Sequence, residues 1–214
     1  MERTDAVDLV GEIIEILDTQ LLPVPVRELW VYGDLALGLD PLDRLDLYVT
    51  KEVLLGGSPA DAATYEAEFD IPGIGTTVQV DWARAHPEYI QTNTSGYVAP
   101  ERCLAAQLLP EDASIHLEVC NAGFESNVTQ RLQAAADRAS FDQLLDPRAV
   151  LVWRDGETAT ESLEKLRDGA YVFPTLAEAL SMLGMEQVVA EEAANELDRW
   201  RADLEGQSVR GEVI

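Results

Sequence analysis

Apolar side chains recur at Val7, Val10, Ile13, Ile14 and Leu17 with acidic residues between them, and this helical spacing predicts an amphipathic helix over residues 5–20, ended by Pro23 and Pro25. A short apolar run, Leu29 to Tyr32, stops at Gly33 and predicts a strand over about 28–33. Over about 44–50, Leu45, Leu47 and Val49 alternate with Arg44, Asp46 and Tyr48, which predicts a second strand with one buried face and one working face. Glycines and prolines bracket an Ala- and Glu-rich stretch between residues 56 and 75, read as loop, short helix, loop. Val78 and Val80 predict a third strand, and Pro100 opens a helix of about ten residues containing Cys103, Leu104 and Leu108. Ile115, Leu117 and Val119 then alternate with His116, Glu118 and Cys120, a strand whose second face is chemically rich.

From Phe124 to Ala139 the spacing of Val128, Leu132 and Ala135 predicts a helix. A strand follows at about 150–153, with a turn at Asp155-Gly156. Three further helices are expected near 159–168, 175–184 and 186–204, punctuated by Gly169, Pro174 and Gly184, with a frayed tail after about residue 206. The order of elements predicts an α+β domain over residues 1–140 and a small, mostly helical C-terminal region over 141–214.

Charge changes this picture in one respect. The 214 residues carry a formal net charge of -25 on a chain that is 47% hydrophobic, too apolar for a disordered acidic segment, so the acid belongs on a folded surface. Such a surface repels itself at low salt, whereas molar salt shortens the Debye length to roughly 3 Å and screens it. With lysine confined to Lys51 and Lys165 and arginine occurring thirteen times, the composition is that expected of a protein from a salty, archaeal-type cytoplasm. No window is basic, so nucleic acid is not favoured as a partner unless distant arginines assemble a patch. No stretch is long and apolar enough for a membrane span, and the start, Met-Glu-Arg-Thr-Asp, lacks the pattern of a signal peptide, so a cytoplasmic location is expected.

The segment WVYGDLALGLDPLDRLDLYV, residues 30–49, resembles the nucleotidyltransferase superfamily that includes minimal antitoxin-type nucleotidyltransferases and DNA polymerase beta. In that family a strand ends at a Gly-Ser turn, a small residue and a glycine follow, and a second strand bears two carboxylates one residue apart. Gly33, Ala36, Gly38 and Asp46 fall on this pattern, and Glu118 in IHLEVC stands where a later strand supplies the third carboxylate. The resemblance implies a nucleotidyltransferase-like mixed sheet with flanking helices. It also implies magnesium on Asp46 and Glu118 as catalytic carboxylates, because two divalent ions clamp the attacking and leaving oxygens in such chemistry. Gly33, Asp34, Gly38, Arg44 and His116 would then surround a nucleotide. Two departures oppose that chemistry. Asp34 replaces the family's serine and repels a phosphate, and Arg44 replaces its first metal carboxylate and stands ready to pair with Asp46. Asp43 can substitute only if the strand bulges. The whole chain is also similar to a small family of halophilic archaeal proteins sharing WVYGD, DRLDLYVTK, HLEVCN and NVTQRL, a likeness that brings no activity with it.

His86, Cys103, His116 and Cys120 are all the histidines and cysteines of the chain and form a possible zinc set. The lack of a Cys-x-x-Cys hairpin and the apolar neighbours of Cys103 favour ordinary structural roles. Trp30, Trp82, Trp153 and Trp200 are expected as core or interdomain anchors. Three functions are consistent with these residues. The first is a degenerate nucleotidyltransferase-like module that binds or regulates, with a shallow pocket between Gly33, Asp34, Arg44, Asp46, His116 and Glu118. The second is an active magnesium-dependent transferase in which Arg44 contacts a phosphate. The third is a structural or interaction protein that offers Leu176, Leu180, Met182, Leu183, Met185, Val188 and Val189 to a protein partner.

Overall fold

The computed structural model describes residues 1–138, 140–203 and 206–211, without the side chains of residues 136 and 137. Helix α1 (Arg3–Thr19) leads into an antiparallel pair, β1 (Val26–Tyr32) and β2 (Leu45–Lys51). The chain then crosses through α2 (Pro59–Phe69), α3 (Val80–Ala85) and α4 (Pro100–Leu108) to β3 (Ile115–Cys120), which lies parallel to β2. Helix α5 (Phe124–Arg138), β4 (Ala149–Arg154), β5 (Glu157–Thr158), α6 (Thr160–Asp168), α7 (Leu176–Met182), α8 (Gln187–Ala202) and β6 (Ser208–Arg210) complete the described chain. The six strands form one mixed sheet in the order β5-β4-β1-β2-β3-β6, and the protein is a mixed α+β fold.

Side-chain alternation decides which layer covers which face. Leu29, Val31, Leu45, Leu47, Val49, Ile115, Leu117 and Val119 point to one side, where α1, α4 and α6 bury them with Val10, Ile13, Leu104 and Leu166. The other side carries Trp30, Tyr32, Tyr48 and Cys120 under Phe124 and Val128 of α5, while α7 and α8 pack beside α5 through Leu180, Ala190, Ala193 and Leu197. Two helices begin at reciprocal caps: Ser58 with Asp61 for α2, and Thr175 with Glu178 for α7.

The structure departs from the sequence pattern in four places. Val78 makes only a single bridge to Ile74, and Val80 opens α3 instead of a third strand. The turn before it explains the difference, because Thr76 and Thr77 both fold back onto the Gly73 carbonyl. Part of the tail expected to fray after about 206 instead forms β6, Ser208–Arg210, held by partners on β3 some ninety residues away that no local pattern reveals, while positions 212–214 of that tail lie outside the described residues. The sheet also runs across the boundary expected near residue 140, since β4 pairs with β1 and β6 with β3. Finally, β2 has no open face: Leu45 to Thr50 are all buried.

Among the expected anchors, Trp30, Trp82 and Trp153 are buried. In the stripe suggested for a partner, Leu176 and Leu180 are core residues, while Met182, Leu183 and Val188 are exposed. No helix among the described residues is long and apolar enough to cross a membrane.

Candidate functional site

On the α5 and α8 side of the sheet, two adjacent rows of side chains run across the strands. The first is Tyr32, Asp46, His116 and Ser208; the second is Trp30, Tyr48, Glu118 and Arg210. The register therefore brings Asp46, His116 and Glu118 together on one face, as the alternation in the sequence implies. All three are buried, as is Arg44.

Both oxygens of Asp46 are occupied by arginines. Arg44 Nε donates to Oδ1 at 2.8 Å, and Nη2 of Arg201, from the last turn of α8, donates to Oδ2 at 2.7 Å. The same Nη2 lies 3.2 Å from Asp34 Oδ1, and Arg201 Nη1 is 3.6 Å from Asp146 Oδ2. Asp146 is further clasped by Arg148 through contacts of 2.9 and 2.8 Å, a bidentate pair. Arg44 Nη1 completes this group by donating to the Arg201 carbonyl at 2.9 Å, which ties β2 to the end of α8.

Glu118 is neutralised separately. Its Oε2 lies 2.5 Å from Arg131 Nη2 of α5, Oε1 pairs closely with Arg210 of β6, and His116 Nε2 is 3.5 Å from Oε1. Arg210 lies over the Trp200 ring at 4.6 Å, and Trp200 meets His116 edge-on. His116 Nδ1 and Ser208 Oγ are 2.7 Å apart, and Arg131 is aimed by Asn127, which donates in turn to the Tyr48 hydroxyl.

These surroundings act differently on the two carboxyls. Burial raises the Asp46 carboxyl above its ordinary value, and Arg201 and Arg44 only partly oppose it. Burial would raise Glu118 as well, but His116, Arg210 and Arg131 together overcome it and hold the carboxyl at about 2. Burial also raises Tyr32, whose hydroxyl remains protonated.

The residues singled out from the sequence divide cleanly. Gly33 lies against the site in a left-handed conformation, and a β-carbon there would collide with Asp46 and Arg201. Asp34 stands at the rim, where Oδ2 accepts from the Asp43 amide at 3.2 Å. Gly38 lies elsewhere: its carbonyl accepts from Arg3 and its Cα faces Gly169, so it cradles nothing at this site. The six-residue pocket expected among Gly33, Asp34, Arg44, Asp46, His116 and Glu118 is filled by arginines. What is open beside it is a cleft of about 370 Å³ lined by Asp34, Asp43, Arg44, Ser114, Asp198, Arg201 and Ala202.

Magnesium does not fit this arrangement, because the oxygens it needs on Asp46 and Glu118 already face guanidiniums. Among the described residues no group of three or more His, Cys, Asp and Glu side chains is placed to hold a metal ion. The possible zinc set is dispersed. His86 stacks on Tyr89 and Cys103 belongs to a satellite core with Ile74 and Trp82, while His116 and Cys120 lie on β3. Burial pushes the Cys103 thiol up to about 11, as suits a small core side chain.

The sequence reading missed Arg131, Asp146, Arg148, Arg201, Ser208 and Arg210. Arg201, Ser208 and Arg210 were hidden by the length of chain separating them from Asp46, His116 and Glu118, whereas Asp146 and Arg148 lie two residues apart in a segment with no periodic pattern. The scarcity of cations in so acidic a chain was the available signal that its arginines have assigned places.

Fold and site together define a mixed α+β protein with an interior carboxylate face neutralised by arginines. The chain belongs to the Family of unknown function (DUF7095), which matches residues 2–214. No curated protein and no solved structure matches it.

Proposed function

We propose that this chain is a nucleotidyltransferase-like module of a salt-adapted cytoplasmic protein, and that it binds or regulates instead of transferring nucleotidyl groups. The fold reading draws support from the antiparallel β1–β2 pair, whose connecting segment, residues 33–44, opens at Gly33, and from β3 lying parallel to β2 with Glu118 beside Tyr48. The observation that carries the functional reading is the double occupation of Asp46 by Arg44 and Arg201. A buried carboxylate bound by two guanidiniums is a poor magnesium ligand, since displacing either one leaves a charge uncompensated in a low dielectric.

The test is a thermal melt in molar potassium chloride, with and without magnesium plus each nucleoside triphosphate, on the wild type and Asp46→Ala. A ligand that binds only the folded state raises the melting temperature by mass action. The wild type is expected to show no magnesium-dependent rise with any nucleotide. A rise that the substitution abolishes would show that Asp46 takes part in binding magnesium-nucleotide, and an assay for nucleotidyl transfer on that nucleotide would then decide for or against the transferase reading.

A further inference from the structure

The seat of Arg201 has a definite charge as well as a shape. Asp34, Asp46 and Asp146 converge on its guanidinium, while Arg44 serves Asp46 and Arg148 serves Asp146. With Arg201 in place, three guanidiniums face three carboxylates. Without it, one negative charge is left over. A divalent ion would exceed that deficit, whereas one guanidinium matches it and presents a planar fork to the carboxylate oxygens.

This seat is not sealed. Arg201 forms part of the wall of the 370 Å³ cleft, together with Asp34 and Arg44. Asp43 and Asp198 stand on the same wall with no ion-pair partner among the described residues, and they bias the cleft toward cations. Arg201 is also imperfectly satisfied, since its Nε–H is buried without an acceptor. An occupant held by its two Nη groups but not by Nε is easier to exchange than one held at all three.

We propose that this seat is a guanidinium-binding site, that Arg201 is its internal occupant, and that the arginine side chain of a basic peptide displaces it by entering through the cleft. The inference deepens the binding reading above and rests on it. At molar salt the net charge is screened beyond a few ångström, so attraction of the partner rests on the Asp34, Asp43 and Asp198 carboxylates that line the cleft itself, and the fork geometry of the seat selects arginine over lysine.

The experiment is a calorimetric titration of the full-length protein in molar potassium chloride with acetyl-Gly-Arg-Gly-amide and its lysine counterpart. Saturable binding of the arginine peptide is expected, about tenfold or more tighter than the lysine peptide, and weakened by Asp34→Asn. In parallel, Arg201→Ala vacates the seat, and its lowered melting temperature should recover with methylguanidinium but not with methylammonium at equal concentration. Recovery of the variant without peptide binding to the wild type would make Arg201 a fixed structural tie and overturn the proposal. Equal binding of both peptides, or a folded variant indifferent to methylguanidinium, would overturn it too. If Arg201→Ala does not fold, the wild-type and Asp34→Asn titrations decide alone. Stabilisation by magnesium-nucleotide tests whether Asp46 serves nucleotide chemistry, and the peptide titration tests the guanidinium seat, so the two can fail separately.

Discussion

A β-carbon at residue 33 would press into the Asp46 carboxylate and the Arg201 guanidinium, and the backbone there is left-handed with φ at 67°, so space and conformation both require glycine. Glu118 yields a prediction at the same scale. Its carboxyl is held at about 2 in the folded state against an ordinary 4.5, so its stabilising contribution is complete above pH 4.5 and is lost as pH falls toward 2. That contribution is about 3 kcal/mol at most. Urea titrations at pH 6 and pH 3 should show the loss, and Glu118→Gln should flatten the difference between them. Asp46 has the opposite sign, since its raised carboxyl takes up a proton more readily in the folded state, so folding gains from acidification there. Both carboxylates were legible in the sequence because alternation places residues 46, 116 and 118 on one face of their strands. The arginines that hold them were not, since Arg201 lies 155 residues from Asp46 and no periodicity connects the two.

The strand β6 is a three-residue element that depends on its side chains as much as on its ladder. Ser208 meets His116, Arg210 meets Glu118, and Val209 packs against the apolar face of the sheet. Arg210→Met should destabilise the protein by about 3 kcal/mol, because it leaves Glu118 with Arg131 as its remaining guanidinium in a buried setting. Amide exchange should locate the damage: Ser208–Arg210 should lose protection, while the β1–β2 pair keeps it. Most other elements could be read from the pattern, because α1, α5 and α8 repeat at helical spacing and β2 and β3 alternate. At β6 the pattern fails because three residues contain too few positions for an alternation to be counted. At Val78 and Val80 it misleads, because two valines fit an alternating strand as well as a turn entering a helix.

For the whole molecule, the arrangement of charge is as telling as its amount. Five of the thirteen arginines, Arg44, Arg131, Arg148, Arg201 and Arg210, converge on three interior carboxylates, Asp46, Glu118 and Asp146, so most of the acid on the exterior lacks a basic neighbour. The melting temperature should therefore rise with potassium chloride up to molar concentrations, and Glu12→Lys with Glu15→Lys on the exposed face of α1 should lower the salt needed. A chain whose melting did not respond to salt would contradict this. The interior ion pairs should respond less, being shielded from mobile ions. The pairing of β3 with β6 and of Asp46 with Arg201 also bears on how the chain reaches this state. As synthesis proceeds from the N-terminus, β1, β2 and β3 can form while Asp46 and Glu118 still lack Arg201 and Arg210. The two carboxylates must then stay hydrated until residues 201 and 210 arrive, so burial of this face belongs among the last steps of assembly. Contacts of such long sequence separation slow that step, and an unfinished chain would expose a charged sheet face that resists clumping while it waits.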